Sequence, residues 1–207
     1  MNTSQAHIAN IIENIRQDGY AVIEHFFNQA EVEALKQQAQ TLKTQGLMRK
    51  ATTGQTKTPT LATELRGDFI HWLETESQDQ NEQLYLKAMS ALQQALNQAF
   101  YLGLFELESH FAIYPAGAGY QKHLDQFIGK QERKISVILY LNQDWQAEDG
   151  GQLRVYLDKN EDSKTLDIVP TGGKLVVFVS SDFLHEVLPA KRERISITGW
   201  FRTRGAI

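Results

Sequence analysis

The segment Tyr114-Pro-Ala-Gly-Ala-Gly-Tyr-Gln-Lys-His-Leu-Asp125 ends with a histidine and an aspartate two positions apart, His123 and Asp125. Alternate side chains of an extended strand point to the same face, so these two side chains are expected to project together. An imidazole and a carboxylate are two of the three ligands in the facial triad that binds non-haem Fe(II). A second histidine must complete such a site, and His185 is the candidate.

The His-x-Asp pattern is weak evidence by itself, because short patterns of this kind also arise by chance. A solvated polar pair on an edge strand is the plainer interpretation. His185 strengthens the metal interpretation, since it follows the apolar run Leu175–Val179 and a turn at 180–182, which places it near a strand end. Asp182 and Glu186 remain competing ligands nearby.

Two further strands carry residues suited to a carboxylate ligand. Alternation along 194–200 places Arg194 and Thr198 on one face with Ser196 and Trp200, and a guanidinium fork fits a carboxylate bidentately. Tyr140 lies in a run that is apolar on both faces, which predicts a buried hydroxyl in need of a partner. Taken alone, a solvated arginine and an ordinary core tyrosine are the plainer interpretations.

The chain divides into a helical first part and a strand-rich second part. Apolar periodicity predicts helices over 4–16, from Asn28 to Gly46 and over 80–101, and strands at 19–27, 47–50 and 66–72. After Gly103, short apolar runs alternate with turn residues at 107–114, 119–125, 134–141, 151–157, 174–179 and 194–202. Many short strands without intervening helices favour a jelly roll or barrel. We therefore predict one α+β catalytic domain over 1–207, with 1–103 as mainly helical support and 104–204 as the barrel.

Residues 51–64 are rich in threonine and carry Gly54 and Pro59, which is typical of a loop. We predict that this segment is mobile and hypothesise that it closes over a bound peptide. A surface loop without a role is the alternative interpretation.

The amino-acid composition excludes several kinds of partner and of chemical site. The 207 residues are 42% hydrophobic and 22% charged, with a net charge of −4, so neither nucleic acid nor a membrane is expected as a partner. There are no cysteines, which excludes disulfides, thiolate metal sites and cysteine nucleophiles. Residues 1–19 do not resemble a signal peptide, because Glu13 and Asp18 interrupt them. A cytoplasmic protein is the expectation, and the oligomeric state stays open.

The motifs together resemble the Fe(II)- and 2-oxoglutarate-dependent dioxygenases, and within them the prolyl 4-hydroxylases of the hypoxia-sensing type and their bacterial relatives. The similarity runs over roughly residues 47–202. Its motifs are Arg66-Gly-Asp68 with Trp72, Tyr114-Pro with Gly119-Tyr120, His123-x-Asp125, Tyr140-Leu-Asn142 with Asp144-Trp145, Gly150-Gly-x-Leu-Arg154, His185-Glu-Val-x-Pro189, and Arg194 to Trp200.

The resemblance implies a double-stranded β-helix with iron at its mouth. It assigns Fe(II) binding to His123, Asp125 and His185, and the distal carboxylate of 2-oxoglutarate to Arg194 and Tyr140. By similarity, Tyr114 lines the cosubstrate pocket and Thr198 lies close to the iron. Dioxygen is the second cosubstrate, and ascorbate (vitamin C) is expected as a reductant.

The resemblance also bears on the substrate. It implies that Asp68 and Arg133 form a charged pair that ties the loop region to the barrel, and it places Trp72 and Trp200 near the substrate. Residues 126–132 differ in composition from the matching segment of the animal hypoxia sensors, which argues against the substrate specificity of the animal enzymes in this chain. Bacterial relatives of similar size hydroxylate a proline in elongation factor Tu. The resemblance therefore implies elongation factor Tu as the first candidate substrate, with release of succinate and CO2. The alternatives are an oxygenase of a free amino acid or small metabolite, and a non-enzymatic cupin-like binding module.

Overall fold

The computed structural model describes residues 3–51, 66–126, 132–158 and 163–204. In these ranges three α-helices are present: α1 (Thr3–Asp18), α2 (Gln29–Thr44) and α3 (Gln80–Phe100). Helix α2 begins with a capping box, in which the Asn28 side chain accepts from the Glu31 amide at 3.0 Å and Glu31 accepts from the Asn28 amide at 2.8 Å. The predicted start of this helix is therefore confirmed.

Eleven strands are present in the same part of the chain. They are β1 (Tyr20–Ile23), β2 (Arg49–Lys50), β3 (Phe69–Trp72), β4 (Glu106–Tyr114), β5 (Tyr120–His123), β6 (Arg133–Tyr140), β7 (Leu153–Tyr156), β8 (Thr165–Ile168), β9 (Leu175–Val179), β10 (His185–Val187) and β11 (Arg194–Arg202). A larger sheet has the order β1-β9-β6-β11-β4-β3-β2, and a smaller one has the order β5-β10-β7-β8. All the strand pairings are antiparallel. The α+β, jelly-roll prediction is confirmed.

Two hydrophobic clusters lie on opposite faces of the larger sheet. The outer cluster joins the helices to this sheet, through residues such as Leu35 and Leu92 against Val137 and Ile197. The inner cluster lies between the two sheets and contains Tyr140. Strand β6 contributes alternate residues to the two clusters, so it is buried on both faces as its sequence predicts.

The first 103 residues contribute more than helical support. Strand β1 pairs with β9, and β3 pairs with β4 and β2, so strands from this part form both edges of the larger sheet. The predicted division at 103/104 therefore runs through a continuous sheet. Strands β8 and β10 were not predicted as strands. The three residues of β10 give too short a periodic signal, whereas β8 was overlooked although its sequence, Thr-Leu-Asp-Ile, alternates polar and apolar residues.

The predicted lid at 51–64 lies outside the described residues except for Ala51. Among the described residues, no helix is both long and apolar enough to cross a membrane.

Candidate active site

The three predicted metal ligands meet at the open end of the barrel. His123 ends β5 and lies directly opposite His185, the first residue of β10, in the antiparallel register. Asp125 follows β5, and its two carboxylate oxygens lie 3.6 Å from His123 Nε2 and 3.5 Å from His185 Nε2. One ligand atom from each residue lies within 4.8 Å of the others. The structure thus brings together two imidazoles and one carboxylate, the donor set of a facial triad.

Backbone carbonyls fix the orientation of both histidine rings. His123 Nδ1 lies 2.7 Å from the Gln121 carbonyl, and His185 Nδ1 lies 3.0 Å from the Phe183 carbonyl. A carbonyl only accepts, so Nδ1 carries the proton in each ring and donates it. The Nε2 lone pairs are then free to face a metal ion, the usual arrangement of a metal-binding histidine.

The site is buried and its charges are coupled. Asp125 is 7% exposed and His185 is 3% exposed. Burial would raise the pKa of Asp125, but His185 and His123 lower that pKa well below its usual range. Burial would likewise lower the pKa of His185, but the adjacent carboxylate raises it, whereas burial and His185 lower the pKa of His123. Asp125 is therefore held as a carboxylate, the form that binds a cation.

A second set of residues provides a carboxylate-binding end to the site. Arg194 is buried, and its Nε donates to the Gly151 carbonyl at 2.9 Å. Gly151 has φ +69°, and a Cβ there would lie 3.2 Å from the Arg194 side chain, so glycine suits this close approach. The guanidinium carbon lies 5.2 Å from the ring centroid of Tyr114 and 5.0 Å from that of Tyr140. Because Nε makes this hydrogen bond, the two terminal nitrogens of Arg194 are available to a carboxylate.

Tyr140 adds a neutral donor beside this fork. The residue is fully buried, and among the described residues its hydroxyl has no hydrogen-bond partner. Burial raises the pKa of Tyr140 to about 12, although Arg194 opposes the shift, so the hydroxyl keeps its proton. A carboxylate at this position would satisfy both the hydroxyl and the guanidinium.

One pocket connects the triad to Arg194. Besides these residues, the pocket is lined by Tyr114, Thr198, Trp200, Arg66, Tyr120, Ile138, Leu153 and Val187. Cation-binding and anion-binding residues therefore share one cavity with apolar walls.

Comparisons with known proteins agree with this geometry. Residues 109–202 match the family model of the 2OG-Fe(II) oxygenase superfamily, and residues 15–152 match that of phytanoyl-CoA dioxygenase. A Pseudomonas putida prolyl-4-hydroxylase structure is 40% identical, with a TM-score of 0.85 over 96% of this chain and 100% of that one. The chain belongs to the prolyl 4-hydroxylase family of 2OG-Fe(II) oxygenases.

Three further relatives have lower sequence identity to this chain. The hypoxia-inducible factor prolyl hydroxylase of Caenorhabditis elegans is 28% identical over 93% of this chain and 28% of its own length. Human Egl nine homolog 1 is 29% identical over 92% of this chain and 45% of its own length. The chain thus spans less than half of these two relatives. A prolyl hydroxylase structure from Trichoplax adhaerens, in complex with a hypoxia-inducible factor peptide, is 25% identical, with a TM-score of 0.85 over 96% of this chain and 90% of that one.

The cofactors of the family fit the residues present. Oxygenases of this superfamily require Fe(II), 2-oxoglutarate and dioxygen. The His-Asp-His cluster suits Fe(II), and the buried guanidinium of Arg194 with the neighbouring hydroxyl of Tyr140 suits the distal carboxylate of 2-oxoglutarate. The assignment of each residue to its ligand stays a prediction, for which substitutions are the test.

Replacing Tyr140 with phenylalanine should separate cosubstrate binding from stability. One hydrogen bond to a charged group contributes about 1.5–3 kcal/mol, so we expect the KM for 2-oxoglutarate to rise about tenfold or more. The free energy of unfolding of the metal-free protein should not fall, because the lost hydroxyl has no partner there. Tyr85→Phe is a matched control, since Tyr85 is also fully buried with an unpaired hydroxyl but lies in the outer cluster. An unchanged KM in Tyr140→Phe would remove Tyr140 from the binding site.

The expected ion pair between Asp68 and Arg133 is not formed. Asp68, which is fully buried, accepts from Arg66 Nε at 2.6 Å and Arg66 Nη2 at 2.8 Å. Arg133 instead donates to Glu108, and its guanidinium carbon lies 3.6 Å from the ring centroid of Trp200. Residues 66 and 68 are two positions apart in the chain. The Asp68 carboxylate is therefore satisfied by a bidentate pair with Arg66 and needs no partner that is distant in sequence.

Double-mutant cycles on the free energy of unfolding test this correction. Removing one partner of a buried ion pair costs about 3–5 kcal/mol, so Asp68→Ala should be strongly destabilising. The coupling between Asp68 and Arg66 should be about 1–3 kcal/mol, and that between Asp68 and Arg133 below about 0.5 kcal/mol. The exposed bidentate pair Arg154–Asp167, at 2.8 Å, is the control and should couple by less than about 1 kcal/mol. A larger coupling to Arg133 than to Arg66 would restore the original pairing.

The other residues expected near the substrate form an aromatic cluster beside the pocket. Trp72 lies 6.4 Å from Trp200 between ring centroids, and both rings contact His110, at 4.7 Å and 5.5 Å. Trp200 reaches the pocket, whereas Trp72 and His110 lie behind it. Burial and the charges of Arg66 and Arg133 lower the pKa of His110 well below its usual range, so this ring is neutral.

The sequence interpretation missed residues that support the ligands rather than bind them. The ring of Tyr120 stacks on His123 with centroids 3.7 Å apart, and the guanidinium of Arg66 lies 5.0 Å from the Tyr120 centroid. Ser136 donates to Asp125 at 2.7 Å. Period-two spacing from Ile138 and Tyr140 places Ser136 on the inner face of β6, so a polar residue at that position was the available signal.

Proposed function

We propose that this protein is an Fe(II)- and 2-oxoglutarate-dependent prolyl 4-hydroxylase that acts on a protein substrate. The observation that carries the proposal is the pocket that the His-Asp-His cluster shares with Arg194, beside which the ring of Tyr140 lies 5.0 Å from the guanidinium carbon. The supporting likeness is to a bacterial prolyl-4-hydroxylase that this chain matches over that protein's whole length.

Different residues of the site have different roles in the proposed reaction. When bound, iron and 2-oxoglutarate supply the oxidising chemistry, with dioxygen consumed and succinate and CO2 released. His123, Asp125 and His185 would hold the metal, and Arg194 and Tyr140 would hold the distal carboxylate of the cosubstrate. The apolar walls at Leu153 and Val187 exclude water from this end.

The mouth of the pocket favours a polypeptide substrate. Arg66 and Tyr120 are half-buried and line the pocket together with Trp200. Aromatic faces with a cation beside them suit the ring and the backbone carbonyls of a prolyl segment. A related prolyl hydroxylase has been solved with a peptide of its protein substrate, which supports the same substrate class here. Elongation factor Tu is the first candidate, and a cytoplasmic location is part of this proposal.

Mass spectrometry of elongation factor Tu incubated with the enzyme, Fe(II) and 2-oxoglutarate tests the proposal. A gain of about 16 Da on one proline, one oxygen atom, is the expected result. The same incubation without 2-oxoglutarate is the control, and succinate should form in step with the modified proline. Succinate formation with free proline or another small molecule, and none with elongation factor Tu, would favour the small-metabolite alternative.

A further inference from the structure

Two buried serine hydroxyls extend the metal site beyond its ligands. Ser136 on β6 and Ser180, just after β9, are both 0% exposed. Ser136 Oγ lies 2.7 Å from Asp125 Oδ2 and 2.9 Å from Ser180 Oγ. We propose that Ser180 and Ser136 form a hydrogen-bond relay that positions the Asp125 carboxylate for the metal ion, with Ser136 as the positioning residue. The inference rests on the metal site of the proposed function and not on the identity of the substrate.

The direction of the relay follows from the chemistry of its members. A metal-binding carboxylate is ionised and only accepts hydrogen bonds. Ser136 must therefore donate its single hydroxyl proton to Asp125. The contact between the two serines then requires Ser180 to be the donor and Ser136 the acceptor. Donation from Ser180 polarises the Ser136 hydroxyl and strengthens its bond to the carboxylate.

The sheet holds both hydroxyls in place. Ser136 lies opposite Trp200 of β11 and Phe178 of β9 in the register, so its backbone is fixed on both sides. The Ser180 amide donates to the Lys134 carbonyl at 2.9 Å, which ties the residue after β9 to β6. Asp125, by contrast, lies after the end of β5. The relay thus fixes a ligand outside the strands to two strands of the larger sheet.

The relay also distinguishes the two oxygens of Asp125. Oδ2 accepts from Ser136 and lies 3.5 Å from His185 Nε2, whereas Oδ1 lies 3.6 Å from His123 Nε2. A carboxylate anchored through one oxygen cannot rotate freely to chelate through both. The relay would therefore fix the rotation of the Asp125 carboxylate when a metal ion binds. The two histidines are oriented by backbone carbonyls, so Asp125 is the ligand whose support depends on side chains.

Cobalt(II) binding to the metal-free protein tests the relay without any substrate. Loss of an outer-shell partner lowers metal affinity about tenfold to a hundredfold, and we expect this for Ser136→Ala. Ser136→Thr keeps the hydroxyl and should bind Co(II) within about threefold of wild type. The d–d absorption of bound Co(II), which reports coordination number, should change in Ser136→Ala and not in Ser136→Thr.

The second serine tests whether the two act in series. Ser180→Ala should weaken Co(II) binding about threefold, as for one neutral hydrogen bond, and should have no further effect when Ser136 is already alanine. Ser109→Ala is the matched control: Ser109 is 2% exposed on β4, next to Phe111 of the outer cluster, and its loss should leave Co(II) affinity unchanged.

Wild-type affinity and spectrum in a folded Ser136→Ala variant would overturn the proposal. A Ser180→Ala effect that persists without Ser136 would overturn the serial arrangement. Thermal unfolding of each metal-free variant shows whether that variant is folded. If Ser136→Ala does not fold, the Ser180→Ala variant decides, and an unchanged Co(II) affinity in it would overturn the relay. Failure to hydroxylate elongation factor Tu would leave these metal-binding results unaffected, so the two proposals fail separately.

Discussion

Replacing His185 with alanine should abolish both metal binding and turnover. His185 is the most buried of the three ligands, and a methyl group at this position leaves only one imidazole and one carboxylate. Since loss of an outer-shell partner alone costs up to about a hundredfold in affinity, loss of a direct ligand should cost more than that. Isothermal titration of the metal-free variant with Mn(II) measures the affinity, and succinate formation from 2-oxoglutarate measures the turnover.

His71→Ala is the matched control for this experiment. His71 lies on β3, and its Nδ1 contacts the Leu47 carbonyl at 3.1 Å, away from the pocket. The control should bind Mn(II) and form succinate as the wild type does. His123→Ala should behave like His185→Ala, because each supplies one imidazole to the same cluster. Full turnover by either ligand variant with iron present would rule out the facial-triad assignment.

Period-two alternation predicted the interior of the barrel well. It placed Ile138 and Tyr140 on one face of β6 and Arg194 and Thr198 on one face of β11, and the structure has them so. Alternation is a reliable guide where a strand is long and packed on both faces, because each side chain then points into either the inner or the outer cluster. The same signal is too short in β10, which has three residues, so His185 was placed near a strand end rather than in a strand.

The sequence predicted which face of a strand a side chain points to better than it predicted which residue that side chain pairs with. The Arg66–Asp68 pair is local, but nothing in the spacing excludes Arg133 as the partner, and only the packed structure shows that Glu108 holds Arg133. The Ser136–Ser180 contact joins residues 44 positions apart, one on β6 and one just after β9, and its existence depends on the register between these two strands. Strand register between distant segments is set by the whole core, so a single sequence without homologues does not determine it.

Replacing Arg194 with lysine should weaken 2-oxoglutarate binding and leave the metal site intact. Lysine keeps the positive charge but loses the planar fork that binds a carboxylate through two parallel hydrogen bonds. Hydrogen bonds to charged groups contribute about 1.5–3 kcal/mol, so the KM for 2-oxoglutarate should rise about tenfold to a hundredfold. The buried Gly151 carbonyl also loses its donor, which should lower the free energy of unfolding by about 1–3 kcal/mol.

Arg192→Lys is the control that separates the pocket from general effects of the substitution. Arg192 is two residues away, its side chain is 43% exposed, and it pairs with Asp149 at 3.0 Å outside the pocket. Its replacement should change neither KM nor metal affinity, because an exposed pair contributes at most about 1 kcal/mol to stability. If Arg194→Lys lowered Mn(II) affinity as much as it raised the KM for 2-oxoglutarate, the arginine would be supporting the barrel rather than binding the cosubstrate. A rise in KM at unchanged Mn(II) affinity places the distal carboxylate at Arg194, since only a group that touches the cosubstrate and not the metal produces that combination.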